Sequence, residues 1–295
     1  MDALVIGCGY VGMRVAKRLA AQGHRVFGVR RTINDLETFE AAKIQALSMD
    51  ITDPTQLPQI PSSIQWAVNA VSSSRRGSEV YREVYVNATK ALITHLQENT
   101  SIEHYLHVSS TSVYGQTDGS WITEEADRQP STETSRILVE AEDLLQSAHQ
   151  GDGFPATIAR VSGIYGPDRG YLFQQYLKKE ATMVGNGSRI INMIHVDDIV
   201  RAIVKILEAA PPGRAFNITD SCPTTQLEFF TWLAAELNGE LPPQATESEL
   251  KRRKRAITNK RVSNRRLVDE LSFLLHYPSF REGYAAEVQR AKNCL

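Results

Sequence analysis

Six residues near the start of the chain have the types and spacing to hold an anion. Gly7-Cys8-Gly9-Tyr10-Val11-Gly12 follows the apolar run Ala3-Leu4-Val5-Ile6 and precedes Met13-Arg14-Val15-Ala16-Lys17-Arg18-Leu19. The run reads as a buried strand and the segment after Gly12 as a helix, so the G-x-G-x-x-G pattern falls in a strand–turn–helix context. A dinucleotide seats its pyrophosphate in such a turn. Gly7 permits the tight turn, Gly9 lets the backbone approach the phosphates, and Gly12 lets helix and strand pack closely. Tyr10 and Val11 are expected to line the same cradle, with the amides of the helix N-terminus facing the anion. The bland alternative is a glycine turn that only packs a strand–helix corner. Cys8 reads as a small buried filler in the loop.

Cofactor type turns on the end of the second strand, His24-Arg25-Val26-Phe27-Gly28-Val29. A site for NAD usually carries Asp or Glu about 20 residues after the glycines, bonding the ribose 2′-hydroxyl. Here Arg30 lies 23 residues after Gly7, Arg31 follows it, and no carboxylate appears before Asp35. A guanidinium suits a 2′-phosphate through bidentate, charge-assisted bonds. NADP(H) is therefore expected in preference to NAD(H), with Arg30 and Arg31 at the phosphate. The alternative is a pair of solvated arginines closing a strand. Ile44 to Ile51 reads as the third strand. Asp50 at its carboxyl end either accepts the adenine amino group, with Ile51 against the ring, or caps the turn before Thr52-Asp53-Pro54. Trp66 to Val71 reads as the fourth strand, and Asn69, Ala70 and Val71 should pass beneath the ribose and phosphates.

These residues need a scaffold. Glu79 to Glu98 reads as a helix, His104 to Val108 as a strand, Thr134 to His149 as a helix and Pro155 to Val161 as a strand. The alternation predicts an α/β fold with a doubly wound parallel sheet. After Asp168 the texture changes: a helix over Leu172 to Lys179, a short strand Ile190 to Ile194, a helix opened by His195-Val196-Asp197-Asp198, a strand Ala215 to Ile218 and an amphipathic helix Gln226 to Leu237. His195 reads more readily as structural than catalytic, and Asp197 or Asp198 as a helix cap. The expected organisation is a dinucleotide-binding domain over 1–167 and 190–218, with a smaller substrate lobe over 168–189 and 219–295.

Net charge is −1, so no global field recruits nucleic acid or an anionic membrane. No apolar run approaches the roughly 20 residues of a membrane helix, and the first strand starts at the beginning of the chain, so no cleavable leader is expected. Cys8, Cys222 and Cys294 show no metal spacing and read as reduced thiols of a cytoplasmic protein. The dense basic run Lys251 to Arg255 admits three readings: a solvated face, a clamp on a substrate phosphate or carboxylate, or a nucleic-acid patch.

Several motifs follow one another in order: the glycine loop, Asp50-Ile51, Val86-Asn87-Ala88-Thr89, Ser109-Ser110-Thr111-Ser112-Val113-Tyr114-Gly115, Arg160 to Pro167, His195-Val196-Asp197-Asp198 and Phe216-Asn217-Ile218. With them the chain resembles an extended short-chain dehydrogenase/reductase of the nucleoside-diphosphate-sugar epimerase/dehydratase type, over residues 1 to about 220. Ser263-Asn264-Arg265-Arg266-Leu267 and Tyr277 to Gly283 resemble the ending of an atypical subgroup. The resemblance implies an NAD(P)-binding Rossmann fold, oxidoreductase or epimerase chemistry, and a small-molecule substrate such as a nucleotide sugar or another carbonyl or hydroxyl compound. It also implies a homodimer through the helices around 80–98 and 134–149, and places Ser109 and Val161 beside the cofactor.

In active members a Tyr-x-x-x-Lys pair performs the proton chemistry, with a serine sharing the hydrogen bond and an asparagine holding a water relay. Carried over, the serine is Ser110 and the asparagine is Asn87. The Ala141-Glu142 pair then puts Thr134 at the tyrosine position and Leu138 at the lysine position. No tyrosine lies between Tyr114 and Tyr165, and no lysine between Lys90 and Lys178, so the pair cannot be recovered by sliding. A threonine hydroxyl is far too weak an acid to replace a lysine-tuned phenol. Two classes of function stay open. One is an NADP-dependent oxidoreductase or epimerase with another acid: Tyr81, Tyr85, Tyr114, Tyr165, His195 or a substrate-held water. Tyr114 and Tyr165 lie in motifs near the cofactor, although packing beside the pocket explains them as well. The other is a non-catalytic NADP(H)-binding redox sensor or scaffold.

Overall fold

The computed structural model describes residues 1–73, 77–252 and 257–294. The side chains of the basic run Lys251 to Arg255 lie outside the described residues. In chain order the first elements are β1 (Asp2–Ile6), α1 (Gly12–Ala21), β2 (Arg25–Arg30), α2 (Leu36–Ala41), β3 (Ile44–Ser48), β4 (Trp66–Asn69), α3 (Ser78–Arg82), α4 (Ala88–Asn99), β5 (His104–Ser110) and β6 (Trp121–Ile122). Then come α5 (Glu133–Asp152), β7 (Ala156–Val161), β8 (Gly163–Tyr165), α6 (Tyr171–Leu177), β9 (Ile190–Ile191), β10 (Met193–His195) and α7 (Val196–Ala209). The chain continues through β11 (Ala215–Ile218), β12 (Thr224–Thr225), α8 (Gln226–Leu237), α9 (Glu247–Arg252), β13 (Arg261–Val262) and α10 (Phe280–Cys294). Two compact units divide it. The first is Met1–Val113, Glu133–Arg160 and Val200–Phe216; the second is Tyr114–Thr132, Val161–Ile199 and Asn217–Leu295.

The first unit is built on a seven-stranded sheet in the order β11-β7-β5-β4-β1-β2-β3. The pairings of β1 with β2 and β4, of β2 with β3 and of β4 with β5 are all parallel. The apolar strands follow from this topology, because helices cover both faces of a parallel sheet and leave no polar side. All six residues of β7 are buried, and β1 is buried from Ala3 onward. Leu4, Ile6, Phe27, Ala67, Tyr105 and Ile158 belong to one core cluster on this sheet. Helix α1 presents Val15, Ala16 and Leu19 as its buried stripe. The expected doubly wound α/β sheet is thus present. Its expected third and fourth strands end early, at Ser48 and Asn69, because Asp50 to Thr52 and Ala70 to Val71 turn out of the ladder to form the site loops.

The second unit rests on three two-stranded pairs: β13 with β6 and β10 with β8, both parallel, and β12 with β9, antiparallel. Its core is aromatic, with Tyr165, Phe173, Phe229, Phe230, Phe280 and Tyr284 in one cluster. This unit takes in more of the chain than the lobe expected over 168–189 and 219–295. Residues 114–132 belong to it because β6 pairs with β13 and because Lys260 Nζ donates to the carbonyl of Tyr114 at 2.6 Å.

Candidate functional site

The glycine loop is fixed from below. Gly7 N and Cys8 N both donate to Val29 O, at 3.1 and 3.0 Å, and Gly9 N donates to Gly7 O at 2.7 Å. Gly7 sits at φ +85°, and a Cβ there would stand 2.8 Å from Val71 Cα and N. A Cβ on Gly12 would collide with the carbonyl oxygen of Gly7. At Gly9 a Cβ would meet nothing within 4 Å, so this point of the loop opens on free space. A ligand phosphate can approach the backbone there, and no acidic residue in the first turn of α1 would repel it. Tyr10 is steadied by Arg14, whose Nη1 donates to its carbonyl at 2.7 Å and whose guanidinium lies 4.1 Å from its ring centroid. Val11 is buried beside it. Replacing Gly7 by alanine should destabilise the protein by about 2 kcal/mol or more, since it adds left-handed strain to a backbone collision. The shift of the urea midpoint measures it, and an unchanged midpoint would mean the loop relaxes freely.

Cys8 is buried, with its Sγ donating to Val5 O at 3.4 Å, and burial pushes its thiol up to about 12. A thiol reagent at pH 8 is expected to leave Cys8 unmodified in the native protein and to modify it in urea. Mass spectrometry of the peptide carrying Cys8 reads the difference.

At the end of β2 the partly exposed Arg30 side chain is paired. Its Nη1 pairs with Asp35 Oδ1 at the start of α2. Arg31 is exposed. Asp50 Oδ1 accepts from Thr52 N at 3.0 Å and Thr52 Oγ1 at 2.8 Å. Ile51 is buried in the core cluster of the sheet. Asn69 is a strut, its Nδ2 donating to Tyr105 Oη at 2.9 Å while Oδ1 accepts from Val71 N at 3.4 Å. Ala70 N donates to Ile6 O at 2.8 Å. Ala70 and Val71 thus form the wall that Gly7 packs against.

Around the end of β5 the polar groups are internal. Ser109 Oγ donates to Glu142 Oε1 at 2.6 Å, and Arg160 Nη2 donates to Glu142 Oε2 at 2.8 Å, all three residues being buried. Ser110 is half-buried and its Oγ accepts from Ser112 N at 3.1 Å. Thr134 is exposed near the start of α5, and Leu138, one turn on, is buried.

Asn87 closes an irregular turn of helix. Glu83 to Asn87 forms a π-helical turn between α3 and α4. That turn buries Tyr85 and Val86 and leaves Asn87 exposed, its Nδ2 donating to Glu83 Oε2 at 2.6 Å. The inward position belongs to Tyr85. Its hydroxyl accepts from Ser73 N at 3.3 Å and donates to Val71 O at 3.5 Å. Its ring lies 4.3 Å from that of Tyr81, centroid to centroid, and burial raises its pKa. A π-turn adds a residue to the helical turn and changes which side chains face inward; no sequence spacing announces it.

In the second unit, Tyr114 and Tyr165 do not meet solvent. Tyr114 Oη donates to Asn217 Oδ1 at 3.0 Å. Tyr165 Oη donates to Ser279 O at 3.4 Å, its ring stacks on Tyr284 at 4.3 Å, and burial raises its pKa. Both are packing residues. His195 is buried against Tyr277, at 4.0 Å between centroids, as its structural reading predicts. Asp198 lies in the first turn of α7. Its carboxylate accepts from His276 N at 2.9 Å and Tyr277 N at 2.8 Å, pinning the segment that leads into α10. Val161 is buried at the end of β7.

Two features of the first unit were not read from the sequence. One is the pairing of Asp35 with Arg30. The other is the Glu142–Arg160 ion pair; its signal was an acid on the apolar stripe of α5, between Leu138 and Leu145, where only a buried partner makes a charge tolerable.

The profile of the NAD dependent epimerase/dehydratase family matches residues 3–219. The chain belongs to this family. Within the epimerase/dehydratase family it is similar to Protein YeeZ of Escherichia coli K12, 28% identical over 276 residues that cover 93% of this chain and 95% of that protein. Among solved structures it resembles a functionally unknown conserved protein from Silicibacter pomeroyi DSS, at 25% identity and a TM-score of 0.78, over 98% of each chain. The dTDP-glucose 4,6-dehydratase DesIV from Streptomyces venezuelae, solved with NAD and TYD bound, superposes with a TM-score of 0.84 at 20% identity, over 99% of this chain and 97% of that one. At that identity the likeness is one of fold. Among the described residues no helix is long and apolar enough to cross a membrane, and no group of three or more His, Cys, Asp or Glu could hold a metal ion.

Proposed function

We propose that this protein binds NADP(H) and acts as an oxidoreductase or sugar-nucleotide epimerase with an altered active site, Thr134 and Leu138 standing where the family carries tyrosine and lysine. The observation that carries the cofactor reading is the glycine loop: Gly7 and Gly12 admit no side chain, while Gly9 opens on free space. A pyrophosphate fits that cradle. Arg30 and Arg31 would take the 2′-phosphate, Asp50 the adenine side, and Asn69 to Val71 the floor under the ribose, with Ser109 and Val161 toward the nicotinamide. The cofactor supplies a hydride donor or acceptor when bound. The half-buried Ser110 hydroxyl is the group left to hydrogen-bond a substrate hydroxyl or carbonyl. Tyr85, Tyr114 and Tyr165 are all buried, so the half-buried Tyr81, whose ring lies against Tyr85, is the most accessible of these four phenols as a proton donor.

The substrate class is a nucleotide sugar or a related carbonyl or hydroxyl compound, held by residues 168–189 and 219–295. A cytoplasmic homodimer, formed through the helices around 80–98 and 134–149, completes the reading. A second reading, a non-catalytic NADP(H) sensor or scaffold, is favoured by one observation: neither exposed Thr134 nor buried Leu138 offers an acid or a cation.

NADPH oxidation across carbonyl compounds and nucleotide sugars tests the two. Turnover abolished by Ser110→Ala is expected for the enzyme. Turnover surviving that change would remove Ser110 from the site, and tight NADPH binding without any turnover would leave the sensor. Arg30→Ala is expected to weaken NADPH about 10-fold or more while sparing NADH, as loss of a charge-assisted phosphate contact requires. Equal losses for the two cofactors would sink the 2′-phosphate assignment.

A further inference from the structure

The turn between β2 and α2 carries a feature that the choice between two cofactors does not absorb. Asp35 occupies the N-cap of α2, where an aspartate side chain ordinarily accepts from an amide of the first helical turn. Its carboxylate makes no cap bond and is turned instead onto Arg30 Nη1. The helix start is closed by the backbone alone, Thr38 N donating to Asp35 O at 2.9 Å. The pair stands beside the glycine loop: the thiol of Cys8, governed by burial, is also drawn down by Arg30 and up by Asp35. Asp35 is the first carboxylate after the glycine motif, and it faces the guanidinium expected to receive the cofactor.

We propose that Asp35 is a specificity-determining residue, holding Arg30 in an ion pair that the 2′-phosphate of NADP(H) must displace. This rests on the reading of the site as one for NADP(H). Two penalties follow. The incoming phosphate exchanges one anion for another at Arg30, so its gain is net of the pair it breaks. The released Asp35 carboxylate then stands near a dianion and repels it. Neither penalty applies to NADH, whose 2′-hydroxyl is uncharged. Asp35 therefore narrows the preference that a lone arginine would give. The exchange is feasible because the side chains are 34% and 44% exposed, and a solvated pair of this kind is weak enough to open.

Fluorescence titration of NADPH and NADH on the full chain tests the assignment. Asp35→Asn should tighten NADPH about fivefold and leave NADH within about twofold, the size expected for removing one partly exposed pair. In an Arg30→Ala background the same change should give less than about half that gain. If Arg30→Ala weakens NADPH but Asp35→Asn leaves it unchanged, the role of Asp35 fails and the NADP(H) reading stands. If Arg30→Ala spares NADPH, both fall together. If Asp35→Asn weakens NADH, Asp35 bonds the ribose hydroxyl directly and the proposal is overturned.

Discussion

Replacing Glu142 by alanine is expected to lower the stability of the fold by about 3–5 kcal/mol, the usual cost of leaving one partner of a buried ion pair behind. Arg160 donates through Nε to both oxygens of Glu142, at 3.2 and 3.1 Å, and through Nη2 at 2.8 Å. Neither residue meets solvent, and no water could solvate the abandoned guanidinium without opening α5 from the sheet. Ser109 loses its acceptor in the same step. Replacing both charges together, Glu142→Leu with Arg160→Met, should recover most of the loss, because the desolvation penalty disappears with the attraction. Urea midpoints of the single and double variants read the comparison. A double variant as unstable as the sum of the singles would show that the pair does more than neutralise itself. Ser109→Ala, removing one hydrogen bond, should cost about 1 kcal/mol.

Acid should destabilise this protein from about pH 6.5 downward. Burial lowers the pKa values of His104 and His107 to about 4. Among the described residues neither ring nitrogen of His107 has a hydrogen-bond partner, while His104 Nε2 lies 2.8 Å from Thr157 Oγ1. Both are neutral in the folded and the unfolded chain at pH 7.5, so neither alters stability there. Below about pH 6.5 the unfolded chain takes up protons that the folded chain refuses. Stability therefore falls between about pH 6.5 and pH 4, by on the order of 3 kcal/mol for each histidine. Urea midpoints measured from pH 7.5 to 4.5 should drop steeply. His107→Phe should flatten the slope, because one of the two largest histidine contributions is removed. An unchanged slope in that variant would assign the acid lability elsewhere.

The sheet was legible because its strands carry unbroken apolar runs, and a parallel sheet covered on both faces requires them. Ala215 to Ile218 and Gln226 to Leu237 were bounded as the structure has them, since proline, glycine and polar stretches flank them. β6 and β13 were not, because two residues have no periodicity to read. At the site, the three glycines could be assigned separate duties from type and spacing alone. Arg30 was visible as a cation at a strand end. Its partner was not, since the pairing of residues 30 and 35 depends on how the intervening turn closes. The inward position of Tyr85 was hidden for a related reason: the π-turn sets it, and only backbone geometry reveals that turn. Tyr114 and Tyr165 had motif context in their favour, but burial, which decides whether a phenol can reach a ligand, is a property of the folded chain.

The pairing of β6 with β13 has a consequence for the order of events during synthesis. Residues 114–132 leave the ribosome early, yet the groups that tie them down come late: Lys260 reaches Tyr114 across 146 residues, and Arg261 N donates to Ser120 O at 2.8 Å. The first unit also needs residues beyond 200 for its last strand. Contacts so distant in sequence form slowly, because a long loop must close before any of them is rewarded. Until about residue 260 emerges, the segment around Trp121 has no strand to pair with, and its exposed indole and backbone are open to wrong partners. A nascent chain stalled before that point should be cut by protease between residues 114 and 132, and one stalled well beyond it should be protected.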